Sequence, residues 1–228
     1  MQAILLSGGK GTRMNELTQT TPKPMVEIGS KPVLDHLMNI FENFYKFEYL
    51  IAAGYKGQMI EEHYRNTDNI KVFDTGIETQ TGGRIYNLRN EIQDKFLVTY
   101  GDGLANVNIK NLVEFHNSHG KLATVTVTNP VSRFGLVEFD NKFSVKNFVE
   151  KPVLEGYINI GFMVFEKAAL DYFYEDCILE SEPLVELSKN LELKAFVHNG
   201  YFQPMDTYRE FLQLNEYWSS GKIPWMDF

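Results

Sequence analysis

Three clusters of residues in this chain carry types suited to phosphate chemistry. The first is Ser7-Gly8-Gly9-Lys10-Gly11-Thr12-Arg13, followed by Lys23 between Pro22 and Pro24. Glycines let backbone N–H groups approach a phosphate closely, Arg13 offers a planar fork of donors, and Lys23 a point charge. The flanking prolines are expected to hold the Lys23 backbone extended and so to fix where its ammonium can reach. Together these residues read as a triphosphate site. The glycines alone suit an ordinary strand-to-helix loop just as well. The second cluster is a pair of carboxylates, Asp102 in Tyr100-Gly101-Asp102-Gly103 and Asp206 in Gln203-Pro204-Met205-Asp206-Thr207. Magnesium takes one or two protein carboxylates and fills its other positions with water or substrate phosphate. Each aspartate also has a plain structural alternative: a turn residue for Asp102, and a helix cap for Asp206, a job for which Thr207 competes. As a pair beside a triphosphate loop they read as Mg2+ ligands. The third cluster is Glu150-Lys151-Pro152, which could place Lys151 on the phosphate of a second substrate and Glu150 on its hydroxyls. Its alternative is a solvated charge pair at the end of a hairpin.

Other chemistries fail on spacing. A Walker loop needs Gly-Lys-Ser/Thr at its end, and a dinucleotide fingerprint needs a third glycine where Met14 stands. Ser7 is not in a G-x-S-x-G elbow. The five histidines form no H-E-x-x-H or H-x-H, and His116 and His119 are expected to sit at a helix C-terminus rather than on zinc.

These groups must be positioned by elements that the apolar pattern outlines. Ala3–Leu6 is a short buried strand running into the glycine loop. Strands are also expected at Glu48–Ala53, Lys71–Phe73, Phe96–Tyr100, Ala123–Thr128, Tyr157–Phe165 and Lys194–His198. Gly135–Phe139 and Phe143–Val149 flank Asp140-Asn141 as a hairpin. Helical spacing recurs after Ser30-Lys31-Pro32, with Ser30 as cap, and over Gly57–Arg65, from Gly82 to Ile92, Ile109–Asn117, Ala168–Tyr174, Glu182–Leu187 and Thr207–Trp218. Strands alternating with helices give an α/β fold on a mixed, mostly parallel sheet, spread over a single domain, residues 1–228. In such sheets ligands lie beyond the carboxyl ends of the strands, where the glycine loop, Asp102 and Asp206 all fall.

The net charge of −8 disfavours nucleic acid and anionic membrane surfaces as partners. Cys177 is the sole cysteine, no membrane-spanning run is present, and a cytoplasmic location is expected. The 17 phenylalanines and 12 tyrosines point to a large core or to subunit contacts in a homo-oligomer.

Gly8-Gly9-x-Gly11-Thr12-Arg13 followed by Pro22-Lys23-Pro24-Met25 resembles the signature of the sugar-phosphate nucleotidyltransferases. Gly54-Tyr55-Lys56-Gly57, Asp74-Thr75-Gly76, Thr81-Gly82-Gly83-Arg84, Arg133-Phe134-Gly135 and Gly221-Lys222-x-Pro224-Trp225 extend the likeness, in order and over nearly the whole chain, to its glucose-1-phosphate cytidylyltransferase branch. The resemblance implies a Rossmann-like fold. It also implies a Mg2+-dependent reaction of CTP with a small phosphorylated acceptor, giving pyrophosphate and a CDP-linked product for surface polysaccharide. Ser7, Gly8, Gly9, Gly11, Thr12, Tyr100 and Gly101 would then cradle the nucleotide, while Arg13 and Lys23 act on its phosphates and Lys151 on the acceptor. Thr81, Gly82 and Arg84 would meet the base, an arginine plus a carbonyl answering the pairing edge of cytosine. Asn159 and Gly161 match an N-x-G motif that contacts the acceptor.

Two departures stand out. The connection between Arg65 and Lys71 is much shorter than in the glucose enzymes, and Ile160 stands where they have glycine. If the Ile160 side chain enters the acceptor pocket, it crowds a hexose. Glucose 1-phosphate would then be a poor substrate beside a slimmer phosphate such as L-glutamine phosphate or phosphocholine. A catalytically silent nucleotide-binding subunit is the alternative from another class; the joint presence of Arg13, Lys23, Asp102, Lys151 and Asp206 argues against it.

Overall fold

The computed structural model of the protein describes the backbone of residues 1–228 and every side chain except those of Asn15 and Glu16. In chain order the longer strands are β1 (Gln2–Ser7), β2 (Glu48–Ala53), β3 (Ile70–Asp74), β4 (Lys95–Tyr100) and β5 (Ala123–Thr128). The hairpin β6 (Leu136–Phe139) and β7 (Val145–Val149) follows, then β8 (Ile158–Glu166) and β9 (Leu193–Val197). Seven of them form one sheet in the order β9-β5-β8-β4-β1-β2-β3. All pairings are parallel except those of β8 with β4 and β5.

Period-two alternation sorts the sheet's side chains onto two buried faces. Ala3, Leu5, Tyr49, Ile51 and Leu97 meet helices α1 (Val33–Glu42), α2 (Gly57–Tyr64), α4 (Ile109–His119) and α6 (Tyr208–Ser219). Ile4, Leu6, Leu50, Phe96 and Val98 meet α3 (Thr81–Asn87) and α5 (Pro183–Lys189). Strand β1 is buried on both faces because it sits at the centre of this three-layer stack. Its neighbours β2 and β4 are reached by crossovers to opposite sides. The carboxyl end of β1 is therefore a topological switch point, where ligand clefts open in such sheets.

The elements follow the sequence pattern with a few differences. Helix α1 starts at Val33 with Pro32 at the cap position, so Ser30 caps nothing. Helix α3 stops at Asn87, short of Ile92, and the helix expected at Ala168–Tyr174 is a 3-10 helix, Lys167–Tyr172. Two three-residue strands had no apolar pattern to mark them: Gly103–Ala105 and Phe202–Pro204 pair antiparallel, Gly103 opposite Pro204. The short connection after α2 is closed by two tight turns, Thr67 N–H to Tyr64 C=O at 3.0 Å and Ile70 N–H to Thr67 C=O at 3.1 Å. Among the described residues no helix is long and apolar enough to cross a membrane.

The β6–β7 hairpin forms, but its second strand begins at Val145, and Phe143, expected in that strand, lies in the turn with φ +62°. Asp140 organises this longer turn, its side chain accepting from Lys142 N–H and Ser144 N–H. Every residue of both strands is exposed, including Phe139 and Phe148, and Phe143 at the tip is more so.

At the opposite end of the sheet from the glycine loop, the two histidines of α4 are part of a directional hydrogen-bond chain. Lys121 N–H donates to His119 Nδ1 (2.9 Å), so His119 Nε2–H donates to Thr124 Oγ1 (2.8 Å). Thr124 in turn donates to His116 Nδ1 (2.8 Å), and His116 Nε2–H to Glu166 (3.2 Å). Neutral imidazoles satisfy every member of this chain, and burial pushes His116 down to about 4. Both histidines lie in the last turn of the helix, as the sequence predicts, and act there as neutral hydrogen-bond partners. Because the folded value lies below the unfolded one, the unfolded chain takes up this proton first as pH falls. The stabilisation is intact above pH 6.5 and lost towards pH 4. Urea unfolding at pH 7 and pH 5 should show a loss of about 2 kcal/mol from this group. The loss should vanish in His116→Gln; identical pH dependence of variant and wild type would contradict it.

Candidate active site

A cleft of about 410 Å³ opens beyond the carboxyl ends of β1 and β4. Its wall is the glycine loop, with Ser7, Gly8, Gly9, Lys10 and Gly11. Tyr100, Gly101, Asp102, Lys23 and Pro24 line another side, and Ile77–Thr81 with Arg84 a third. Lys10 pairs with Glu78 at 2.6 Å. Ser7 is buried at the end of β1, and its hydroxyl finds no protein partner among the described residues. Of the residues expected around a nucleotide, Thr12, Arg13 and Gly82 do not line this cleft. Thr12 and Arg13 are the exposed residues of a 3-10 turn whose third residue, Met14, is buried, and Gly82 is packed against Cys177, where a Cβ would lie 2.5 Å from Sγ.

Lys23 does not sit in an extended segment. It opens a single 3-10 turn, Lys23–Met25, closed by Met25 N–H to Pro22 C=O (2.8 Å) and Val26 N–H to Lys23 C=O (3.1 Å). Pro22 is the extended residue, and Pro24 is tolerated because the second position of a helical turn needs no N–H donor. The turn aims the Lys23 ammonium at both aspartates: 2.6 Å to Asp102 Oδ2 and 2.7 Å to Asp206 Oδ1. The pairing of Gly103–Ala105 with Phe202–Pro204 is what brings these aspartates together, extended by Met205 N–H to Asp102 C=O at 2.8 Å.

Thr207 takes the cap of α6, in a reciprocal capping box with Glu210, which leaves the Asp206 carboxylate free to face Lys23. Glu210 also accepts from Asp206 N–H (2.8 Å) and pairs with Arg133 (3.2 Å). Arg13 reaches Asp206 at 3.3 Å from an exposed position. Burial opposes ionisation of Asp206, but Lys23, then Arg13 and Arg133, outweigh it and hold its carboxyl below the usual range. Burial likewise opposes the charge on Lys23, and Asp102 and Asp206 overcome it and raise its pKa. Among the described residues no group of three His, Cys, Asp or Glu side chains could hold a metal unaided. A cation here would complete its shell with water or with oxygens of a bound phosphate.

Arg84 lines the cleft, yet its side chain is buried and its terminal N–H groups are committed to protein oxygens. Nη1 lies 3.1 Å from Ala53 C=O, 2.6 Å from Thr75 Oγ1 and 2.8 Å from Gly76 C=O. Nη2 lies 3.3 Å from both Gly8 C=O and Ile77 C=O. The guanidinium thus ties the glycine loop to the ends of β2 and β3 instead of presenting donors to a base. Gly8 has to be glycine for this, since a Cβ there would lie 2.0 Å from the guanidinium carbon. Thr81 is also engaged, donating to Glu180 (2.9 Å) and accepting from Leu179 N–H (3.0 Å); Glu180 accepts from the Tyr100 hydroxyl as well.

On the acceptor side, the structure corrects the reading of Ile160. Its side chain is buried in the core on the α1 face, at a register shift in β8 between Asn159 and Met163. It does not enter a pocket, so the steric case against a hexose falls. Asn159 Oδ1 accepts from Gly161 N–H (2.9 Å), and Gly161 has φ +90°, where a Cβ would meet the Tyr100 ring at 2.3 Å. Only glycine lets Tyr100 lie against this turn. Glu150 and Lys151 are exposed beside one another, 3.9 Å apart, and no contact joins them to the aspartates among the described residues. Lys151 is not extended before Pro152 either; its φ of +48° places it in the left-handed region, a strain found at functional sites. Arg133 and Glu210 carry no individual role in the sequence reading. The Thr-x-x-Glu spacing at residues 207–210 is the signal that could have found Glu210.

Residues 2–219 match the model of the Nucleotidyl transferase family. This chain belongs to that family. It is 39% identical over 254 aligned residues to glucose-1-phosphate cytidylyltransferase of Salmonella typhimurium, covering 99% of this chain and 98% of that protein. To "Probable glucose-1-phosphate cytidylyltransferase" of Bacillus subtilis it is 37% identical over 252 residues, covering 99% of each. Among solved structures, HddC from Yersinia pseudotuberculosis complexed with GMP-PN superposes with a TM-score of 0.71 at 27% identity, over 95% of this chain and 99% of that one. For a nucleotidyltransferase, the substrates are a nucleotide and a phosphorylated acceptor, and the cleft described above lies at the switch point of the sheet.

Proposed function

We propose that this nucleotidyltransferase is a cytidylyltransferase. It joins CMP from CTP to a small phosphorylated acceptor, a sugar 1-phosphate such as glucose 1-phosphate, and releases pyrophosphate. The observation that carries this reading is the Arg13–Asp206–Lys23–Asp102 cluster beside the glycine-loop cleft. The whole-length similarity to cytidylyltransferases supports the choice of nucleotide. The acceptor's phosphate oxygen attacks the α-phosphorus; a P–O bond forms there as the α–β bridging bond breaks and pyrophosphate leaves in line.

The glycine loop and the Ser7 hydroxyl bind the triphosphate. Lys23 neutralises the α-phosphate, Arg13 the departing pyrophosphate, and Lys151 holds the acceptor with Glu150, Asn159 and Gly161. Asp102 and Asp206 fit a divalent cation, because a positive group already bridges them. Mg2+ bound there would supply charge stabilisation on the phosphates. No covalent intermediate on the protein is needed; positioning and electrostatics carry the rate.

With Arg84 and Thr81 committed to protein partners, cytosine is read chiefly by backbone groups, whose donors and acceptors would face the wrong pattern in uracil. Pyrophosphate release with matched acceptor should therefore favour CTP over UTP and dTTP by about 10²-fold or more in kcat/KM. Glucose 1-phosphate is expected among the best acceptors. A preference for UTP or dTTP would leave the family and remove the cytidylyl assignment.

A further inference from the structure

The two carboxylates that suit a divalent cation are bridged by a cation belonging to the chain itself. The Lys23 side chain is 11% exposed and touches both aspartates. Two carboxylates with one ammonium leave a single net negative charge, which Arg13 on Asp206 offsets. A divalent cation entering this arrangement would meet two positive groups at contact distance, with no surplus of negative charge to hold it. Lys23 has somewhere else to go. Its stem lies beside the glycine loop, where a Cβ on Gly11 would come within 3.2 Å of Lys23 Cβ, and its side chain lines the cleft. The 3-10 turn anchors the Lys23 backbone, so the ammonium can swing from the carboxylates into the cleft by side-chain rotation alone.

We infer that Lys23 is an interlock: it keeps Asp102 and Asp206 closed to a divalent cation until a polyphosphate in the glycine loop draws its ammonium away. This rests on the assignment of the two aspartates to a cation and deepens it by fixing the order in which charges enter. Polyphosphate arrives first, the ammonium transfers to it, and only then do the freed carboxylates and the phosphate oxygens form a cation site. The positive charge near the α-phosphate and the cation site are thus never both available to the wrong partner.

The test uses two probes that require no turnover. Mn2+ binding to nucleotide-free protein, followed by the electron paramagnetic resonance of free Mn2+, should be weak in the wild type. It should strengthen by about tenfold or more in Lys23→Met and Lys23→Gln, where the carboxylate pair loses its ammonium. Adding Asp102→Asn to Lys23→Met should abolish the gain. Inorganic tripolyphosphate in excess EDTA, measured by calorimetry, should behave oppositely, with both Lys23 variants binding about tenfold more weakly than wild type. A misfolded variant would lose both activities, so the opposed signs separate a folding defect from the interlock. Tight Mn2+ binding to the wild type alone, or no gain in either folded Lys23 variant, would overturn the inference. CTP turnover would be untouched by that result. Conversely, the opposed signs would stand even if CTP proved not to be the substrate.

Discussion

Asp102→Asn and Asp206→Asn are each expected to lower kcat by about 10³-fold, and the double variant by little more than the worse single one. Groups that act as one unit are strongly non-additive when removed together. Here the unit is visible: both carboxylates contact a single ammonium, through strands that pair Gly103 with Pro204. The change from carboxylate to amide keeps size and removes charge, and both side chains are partly exposed, so folding should persist and can be checked by circular dichroism. Pyrophosphate release at saturating CTP and acceptor gives the number. Near-wild-type turnover in either single variant would take that residue out of the site, and multiplicative losses in the double would mean two separate roles.

Arg84→Met should be the most destabilising single change near the cleft. The residue is 4% exposed, and its guanidinium serves four carbonyl oxygens and one hydroxyl. Removing it leaves the Gly76 and Ile77 carbonyls without a partner among the described residues, while Ala53 C=O keeps Thr75 N–H and its hydroxyl and Gly8 C=O keeps Tyr55 N–H. The cost should be about 3–5 kcal/mol, or roughly 6–20 °C in Tm for a chain of this length. Lysine should not rescue it, because one ammonium cannot span acceptors drawn from Gly8, Ala53, Gly76 and Ile77. Nucleotide affinity should fall with stability, since Gly8 C=O is then held by Tyr55 N–H alone (3.1 Å). A Tm within about 2 °C of wild type would show that the five contacts contribute little net free energy.

Much of the architecture was legible in the chain because it depends on local pattern. The apolar runs at Ala3–Leu6 and Phe96–Tyr100 could only be buried strands, and the glycine loop between strand and turn had one natural place in an α/β sheet. What escaped depends on contacts between distant segments. Residues 103–105 and 202–204 are too short and too irregular to announce themselves as strands, yet their pairing is what joins Asp102 to Asp206. Arg84 reads as a donor for a base because nothing local shows that Gly8 and the ends of β2 and β3 converge on it. Ile160 is ambiguous in sequence for a definite reason: strand alternation fails across the register shift in β8, and that shift turns the side chain into the core. At Lys23, a proline on each side argues locally against a helical turn. In the fold the turn begins at Lys23, and Pro24 occupies a position that tolerates proline.

The hydroxyl of Ser7, without a protein partner among the described residues, carries a different kind of consequence. A buried polar group without a partner works against folding by about 1–3 kcal/mol, and alanine would relieve it. Selection for stability alone would therefore favour alanine at this position. On the proposed triphosphate role of this hydroxyl, the position is one where marginal stability and activity pull apart. Screens that rank variants of this enzyme by thermal tolerance should enrich Ser7→Ala, and, on the proposed triphosphate role of the hydroxyl, the same variants should turn over more slowly.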